Sequence, residues 1–279
     1  MTATRRELLL AAAAGSATLS IAGHPAAPAP DAQELARLRK KAAHRRRRII
    51  YNNDGDDIWT QGADTVEKFL AVRHEPLLGT QVDSIYYCTT QSFQLFTHGT
   101  RVAERFLVRE GPFAHNNLAT FLDQGTDGIR MSAEFAHRHG LETFWTLRMN
   151  DIHDAFTPLF LSRWKQEDPR RIMSTAAAAQ GFQDRRRLWT LVDFEHPDVE
   201  PALVAMVEEV LRNYPVDGVE LDWLRAPCYF RSHYEGHEVT SAQRARLTGI
   251  ATALRRVVLR ESERQGRPLL VGARVPVSE

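Results

Sequence analysis

Short apolar runs rich in β-forming residues alternate with amphipathic helical stretches along most of the chain. The first run, residues 48–53, carries Ile49, Ile50 and Tyr51, and Asp54-Gly55-Asp56-Asp57 ends it as a loop. Further strands are predicted at 83–88, 142–149, 216–223 and 269–275. Residues 64–72 read as a short helix, as do 100–108 and 117–122 on a long excursion after the second strand. The stretch 126–139 is a better helix, stopped by Gly140. Val199, Leu203, Met206, Val207, Val210, Leu211 and Tyr214 share one face of a helix over 199–214. Leu247, Ile250, Ala251, Leu254, Val257 and Val258 do the same over 240–265, with Gly266 as the stop and Pro268 just beyond. Residues 151–184 form a long polar insertion without strong periodicity, and 188–194 is either a short strand or its exit.

Strands alternating with helices predict an α/β fold with a parallel sheet. Long excursions after the strands suit a (β/α) TIM-type barrel, in which such loops build the site. A full barrel has eight strands and five are counted here. At about 30 residues per βα unit, roughly 90 residues are missing. The expectation is therefore an incomplete barrel over 48–279 lacking its C-terminal part, with an open α/β sheet as the alternative. A partial barrel exposes apolar edges and helix faces, so self-association into a homo-oligomer, or poor solubility, would follow.

The N-terminus changes this picture. Arg5-Arg6 precede Leu8-Leu9-Leu10 and an Ala/Gly/Ser run, and Pro25 to Pro30 offers small residues suited to cleavage. Residues 1–30 read as an export signal of twin-arginine (Tat) type, with an ordinary secretory signal as the alternative. Either implies an exported protein, periplasmic or extracellular, with no stable membrane insertion after cleavage; the apolar run is too short and too Ala/Gly-rich to span. Residues 31–47 are a charged helical arm or linker, and the basic run 45–48 reads as a solvated face. With 36 basic and 35 acidic residues the formal charge is +1, so nothing global points to nucleic acid. Cys88 and Cys228 are too few for a disulfide framework and have no zinc-type spacing around them; they could pair outside the cytoplasm.

The chemistry concentrates at strand ends. Side chains two apart on a strand share a face. In the fourth strand that joins Glu220 with Asp222, against Val219, Leu221 and Trp223. Unpaired carboxylates are costly to bury, so partners or a purpose are required. Arg148, on a face with Thr146 and Asn150, and Arg274 in the fifth strand are the candidate cations. Asn52 and Asp54 share a face at the end of the first strand. The loop Asn150-Asp151-Ile152-His153-Asp154 adds groups able to bind hydroxyls or move a proton. Two carboxyl groups are what glycoside hydrolysis needs, one as acid and one as nucleophile or base. The bland reading is a lumen ion-pair layer of Glu220 with Arg148 or Arg274, and Asp222 is the more mouth-facing acid. Trp59, Trp164, Trp189 and Trp223 suit a sugar ring or the core, and Trp223, beside Asp222, is placed with the substrate-binding set. His98, His115, His233 and His237 fall in loops. No metal-ligand spacing is recognised, no cofactor is expected, and no G-x-S-x-G, P-loop or G-x-G-x-x-G occurs.

Together RRIIYNNDGDD, VDSIYYCTTQSFQLFTHGT, WTLRMNDIHDAF and YPVDGVELDWLR resemble bacterial family-10-like glycosyl hydrolases, relatives of the α-amylase-type TIM barrels. The resemblance covers roughly 48–274, and the DGVELDW strand is moderately specific. It implies Glu220 and Asp222 as the acids and Arg148, Asn150 and Asp151 as substrate-side groups, while strands six to eight, where such barrels often carry a second acid, are absent. Two functions stay open. One is an exported glycoside hydrolase acting on an oligosaccharide or polysaccharide, with Asp222 and Glu220 catalytic and Asn52, Asp54, Arg148, Asn150, Asp151, His153, Trp223 and Arg274 on the substrate. The other is a non-catalytic carbohydrate- or partner-binding protein on the same scaffold.

Overall fold

A computed structural model describes residues 30–181 and 186–276. The expected export signal lies outside the described residues except for Pro30, as do residues 182–185 near the end of the insertion. In chain order the strands are β1 (Ile49–Asn53), β2 (Val82–Cys88), β3 (Thr90–Ser92), β4 (Leu95–Phe96), β5 (Glu104–Arg105), β6 (Glu142–Arg148), β7 (Gly218–Asp222) and β8 (Leu270–Arg274). Five of them form one all-parallel sheet in the order β1-β2-β6-β7-β8. The short β3, β4 and β5 form a second sheet on the excursion after β2. Parallel strands laid side by side in chain order, each pair joined through helical connections, are the wall of a (β/α) TIM-type barrel with five strands present. Among the described residues no strand pairs with the outer edge of β1 or of β8.

The sheet is strongly concave. Three strand steps separate β2 from β8, about 14 Å in a flat sheet. Yet the Tyr86 hydroxyl of β2 lies 3.6 Å from where a Cβ on Gly272 of β8 would stand. Register stacks the inner face in layers. Asn52, Tyr86, Phe144, Gly218 and Leu270 pair across all five strands. Above them come Cys88, Thr146, Glu220 and Gly272, then Arg148, Asp222 and Arg274. Tyr86 stacks on Phe144 with centroids 4.6 Å apart, and the large Phe144 ring lies over the small Gly218. A Cβ at Gly218 would stand 2.3 Å from the Leu270 carbonyl, so only glycine lets β7 and β8 approach there.

The opposite face of the sheet carries the core. Ile85, Tyr87, Trp145, Leu147, Val219 and Leu221 pack with the apolar faces of helices Gly128–Arg138, Val199–Asn213 and Ser241–Gln265. The last of these begins with a capping box between Thr240 and Gln243 and ends on Gly266 in the left-handed region, φ 62°.

Two expectations change, and of the two readings of 188–194 the exit from the insertion holds. Residues 100–108 are not helical: β5 pairs with β4, and Phe106 is buried against Trp59, Phe113 and Phe160. Asn116 Nδ2 donates to the Phe106 and Val108 carbonyls, taking the place of helical hydrogen bonds. Residues 188–194 make one antiparallel bridge, Val192 to Ile172, rather than a strand. The arm is helical as expected (Ala32–Ala43) but is docked, not a free spacer. Its Leu35 is 2% exposed, the helix lies against β8, and Arg47 grips Glu142 of β6 with two hydrogen bonds of 2.6 and 2.9 Å. No helix among the described residues is long and apolar enough to cross a membrane.

Candidate active site at the strand C-terminal ends

Strand register brings Arg148, Asp222 and Arg274 to one level at the C-terminal end of the sheet, with Glu220 one layer below. Arg274 bridges both acids: Nη2 donates to Glu220 Oε2 at 2.9 Å and Nη1 to Asp222 Oδ2 at 3.3 Å. Thr146 also donates to Glu220 Oε2, at 2.9 Å. Asp222 Oδ1 accepts from the backbone N–H groups of Leu224 and Arg225, so this carboxylate holds the turn that leaves β7. Asp222 is 2% exposed and both of its oxygens are engaged. Glu220 Oε1 has no hydrogen bond among the described residues. Burial holds the Glu220 carboxyl above the usual glutamate range, outweighing the pull of Arg274 and the bond from Thr146.

Arg148 does not neutralise Glu220 or Asp222. Its guanidinium turns toward the other side of the mouth, donating to Asp54 Oδ1 at 2.9 Å, Asp151 Oδ2 at 3.2 Å and the Thr90 carbonyl at 3.2 Å. Asp151 in turn accepts from the His153 backbone N–H at 2.8 Å and sits against His153 Nδ1. Burial alone would raise the Asp151 pKa, but the bonds from His153 and the charge of Arg148 hold it below the usual aspartate range. The buried carboxylate thus fixes the ring of a partly exposed imidazole. Two guanidiniums therefore serve four carboxyls: Arg148 holds Asp54 and Asp151, and Arg274 holds Glu220 and Asp222. The side chains that solvent reaches are Asp54, His153 and Arg274, 46%, 35% and 30% exposed.

Two residues expected on the substrate are placed elsewhere. Asn150 is buried, donating to the Val192 and Cys228 carbonyls and accepting from the Val192 N–H; its amide staples two loops. Trp223 packs on the outer side of the sheet against Phe194 and Tyr229, as strand alternation from Leu221 requires. Asn52 is exposed on the inner side of β1, below Asp54 and level with Tyr86. Trp59 belongs to the Phe106–Phe113–Phe160 cluster, and His98 is buried with Nδ1 on the Thr89 hydroxyl, its pKa lowered to about 4 by burial. Cys88 and Cys228 are buried thiols, their sulfurs 3.9 and 4.0 Å from the Thr90 and Phe230 carbonyls. Sequence reading missed the role of Thr146, whose place on the Glu220 face was visible, and the pairing of Asp54 with Arg148, 94 residues apart. Among the described residues no group of three or more His, Cys, Asp and Glu could hold a metal ion.

No family model and no curated protein matches the chain. Solved structures with which it aligns include glycoside hydrolases. They include an α-L-fucosidase, isoenzyme 2, from Paenibacillus thiaminolyticus, at 17% identity and a TM-score of 0.45 over 82% of this chain and 32% of that one. A GH36 α-galactosidase from Geobacillus stearothermophilus aligns at 15% identity and 0.42, over 83% and 28%. A maltogenic α-amylase from Thermotoga neapolitana aligns at 11% and 0.41, over 80% and 44%. The chain spans less than half the length of each, and at these scores the likeness carries no argument about the site.

Proposed function

We propose that the chain is an exported glycoside hydrolase of the family-10-like kind, acting on an oligosaccharide or polysaccharide by carboxylate acid/base catalysis. One observation carries this reading. Glu220 has an unengaged Oε1, a carboxyl that burial inclines to keep its proton, and a second acid, Asp222, held beside it by the same guanidinium. Glu220 is the proton donor to the glycosidic oxygen, and Asp222 is the carboxylate that faces the developing positive charge. Asp54, His153 and Arg274 meet the sugar hydroxyls first, because they are the exposed members of the cluster. Arg274 covers both acids, so substrate enters by displacing it from one of them. The apolar residues exposed on the edge strands, Ile49, Ile50 and Val271, support self-association as part of the same reading.

The other reading is a non-catalytic carbohydrate- or partner-binding protein. The full engagement of Asp222 by Arg274 and the β7 turn favours it. Turnover of a glycan panel by the parent chain, Glu220→Gln and Asp222→Asn separates the two. Hydrolysis by the parent that falls 10²-fold or more in Glu220→Gln, with binding kept, supports catalysis. Glycan binding without turnover in the parent sinks it and leaves the binding protein.

A further inference from the structure

A slot of about 550 Å³ lies on the outer side of the sheet, the face opposite the acids, between the N-terminal helix Ala32–Ala43, β8 and the helix Ser241–Gln265. Its floor is apolar, with Leu221, Val258, Leu269 and Val271. Its polar lining is cationic or imidazole: Arg39, Lys40 and His44 from the arm, and Arg255 from the long helix, with no carboxylate among them. Elsewhere on these elements arginines are matched to acids. Arg37 holds Glu34, Arg246 holds Glu200, Arg260 holds Glu208 and Arg264 holds Glu261. Arg39, Lys40 and Arg255 have no such partner among the described residues. Cations left unneutralised around an apolar floor repel one another, and an anion relieves that repulsion.

From this charge complementarity we infer that the slot binds a small anionic amphiphile, an apolar body ending in one carboxylate or phosphate head. The volume of the slot, about 550 Å³, suits such an occupant. Sites for small ligands run from about 300 to 1,000 Å³ and pair an apolar lining with a few polar groups. The apolar body lies on Leu269 and Val271, and the head group meets Arg39 and Arg255 from opposite walls. Occupancy therefore ties the N-terminal helix to the barrel wall.

Isothermal titration calorimetry of the full 279-residue chain tests this with dodecanoate, dodecyl phosphate and dodecyltrimethylammonium, each below its micelle concentration. Both anions are expected to bind one per chain and the cation at least tenfold more weakly. Arg39→Glu and Arg255→Glu change partly or fully exposed side chains and should each weaken dodecanoate about tenfold. Ala251→Phe, which fills the slot without touching charge, should abolish binding. Equal binding of the cationic amphiphile, no binding of either anion, or affinity unchanged in both charge reversals would overturn the inference. Binding of one anion but not the other identifies the head group and upholds the site.

Discussion

The two ends of the same five strands carry arginine–carboxylate clusters of different construction. At the N-terminal end each carboxylate has an arginine of its own, and Glu142 has a second, Arg45, at 3.5 Å. Arg47 holds Glu142 through two hydrogen bonds and Arg48 holds Asp83 through its guanidinium and backbone N–H. Ser84 adds a hydroxyl to Glu142 at 2.8 Å. At the C-terminal end each guanidinium is shared between two carboxyls, and an imidazole is drawn in. The first arrangement is a clasp, in which every carboxylate has at least one guanidinium to itself. The second sets four carboxyls against two guanidiniums in a partly buried mouth, a condition that favours a carboxyl holding a proton or recruiting a polar ligand. Charge stoichiometry, rather than the presence of ion pairs, distinguishes the C-terminal end.

Removing a shared cation should therefore hurt more than removing a matched one. Arg274→Leu strands Glu220 and Asp222 together, and a loss of about 2–3 kcal/mol is expected in urea denaturation, discounted from the buried-pair range because Arg274 is 30% exposed. Adding Glu220→Gln should return part of it. Arg47→Leu strands only Glu142, beside a remaining hydroxyl and a neighbouring Arg45 at 3.5 Å, and should cost about 1 kcal/mol. Equal losses at the two ends would erase the distinction.

The shared cluster should also show opposite pH signs on its two sides. The folded Glu220 carboxyl is raised above 4.5, so its favourable contribution is full at lower pH and is lost as pH rises through the folded value. The folded Asp151 carboxyl is lowered below 3.8, so its contribution is full above that pH and is lost as pH falls through the folded value. Stability curves from pH 3 to 8 check both. Glu220→Gln should gain on the parent as pH climbs past 4.5, and Asp151→Asn should lose at neutral pH and converge at the acid end. Parallel curves for the two variants would mean that the acids are titrating as one matched set.

Much of this was readable in the sequence, for a physical reason. The period-two alternation of β6 and β7 separates Thr146, Arg148, Glu220 and Asp222 from the apolar set that meets the helices, and burial enforces that separation. The same alternation put Trp223 on the apolar side, and its place among the substrate residues went against the pattern. What alternation does not contain is partner choice. Arg148 reaches Asp54, and Asn150 reaches Val192 and Cys228, through loops that return from distant parts of the chain. Residues 100–108 show the same limit from the other side. Their helical pattern yields to a buried aromatic cluster and to the side chain of Asn116. The docking of the arm was hidden because its apolar content is slight, with Leu35 as its one buried residue.

The smallest expected effect lies at the clasp. Arg48 and Asp83 make three hydrogen bonds of 2.7 to 3.0 Å, and the pair pulls the Asp83 carboxyl far below the usual range, the side-chain bond from Arg48 contributing most. By hydrogen-bond count it is as well made as anything at the other end. But the Arg48 side chain is 53% exposed, so water solvates it nearly as well when the pair is broken, and salt screens what remains. Arg48→Ala keeps the backbone bond to Asp83 and should leave the melting temperature unchanged within error at 0.15 M salt, with a small drop only at low ionic strength. If Arg48→Ala instead destabilised the chain as much as Arg274→Leu does at the same salt, a matched, exposed pair would count for as much as a shared, buried one, and charge stoichiometry could not be what distinguishes the two ends of the barrel wall.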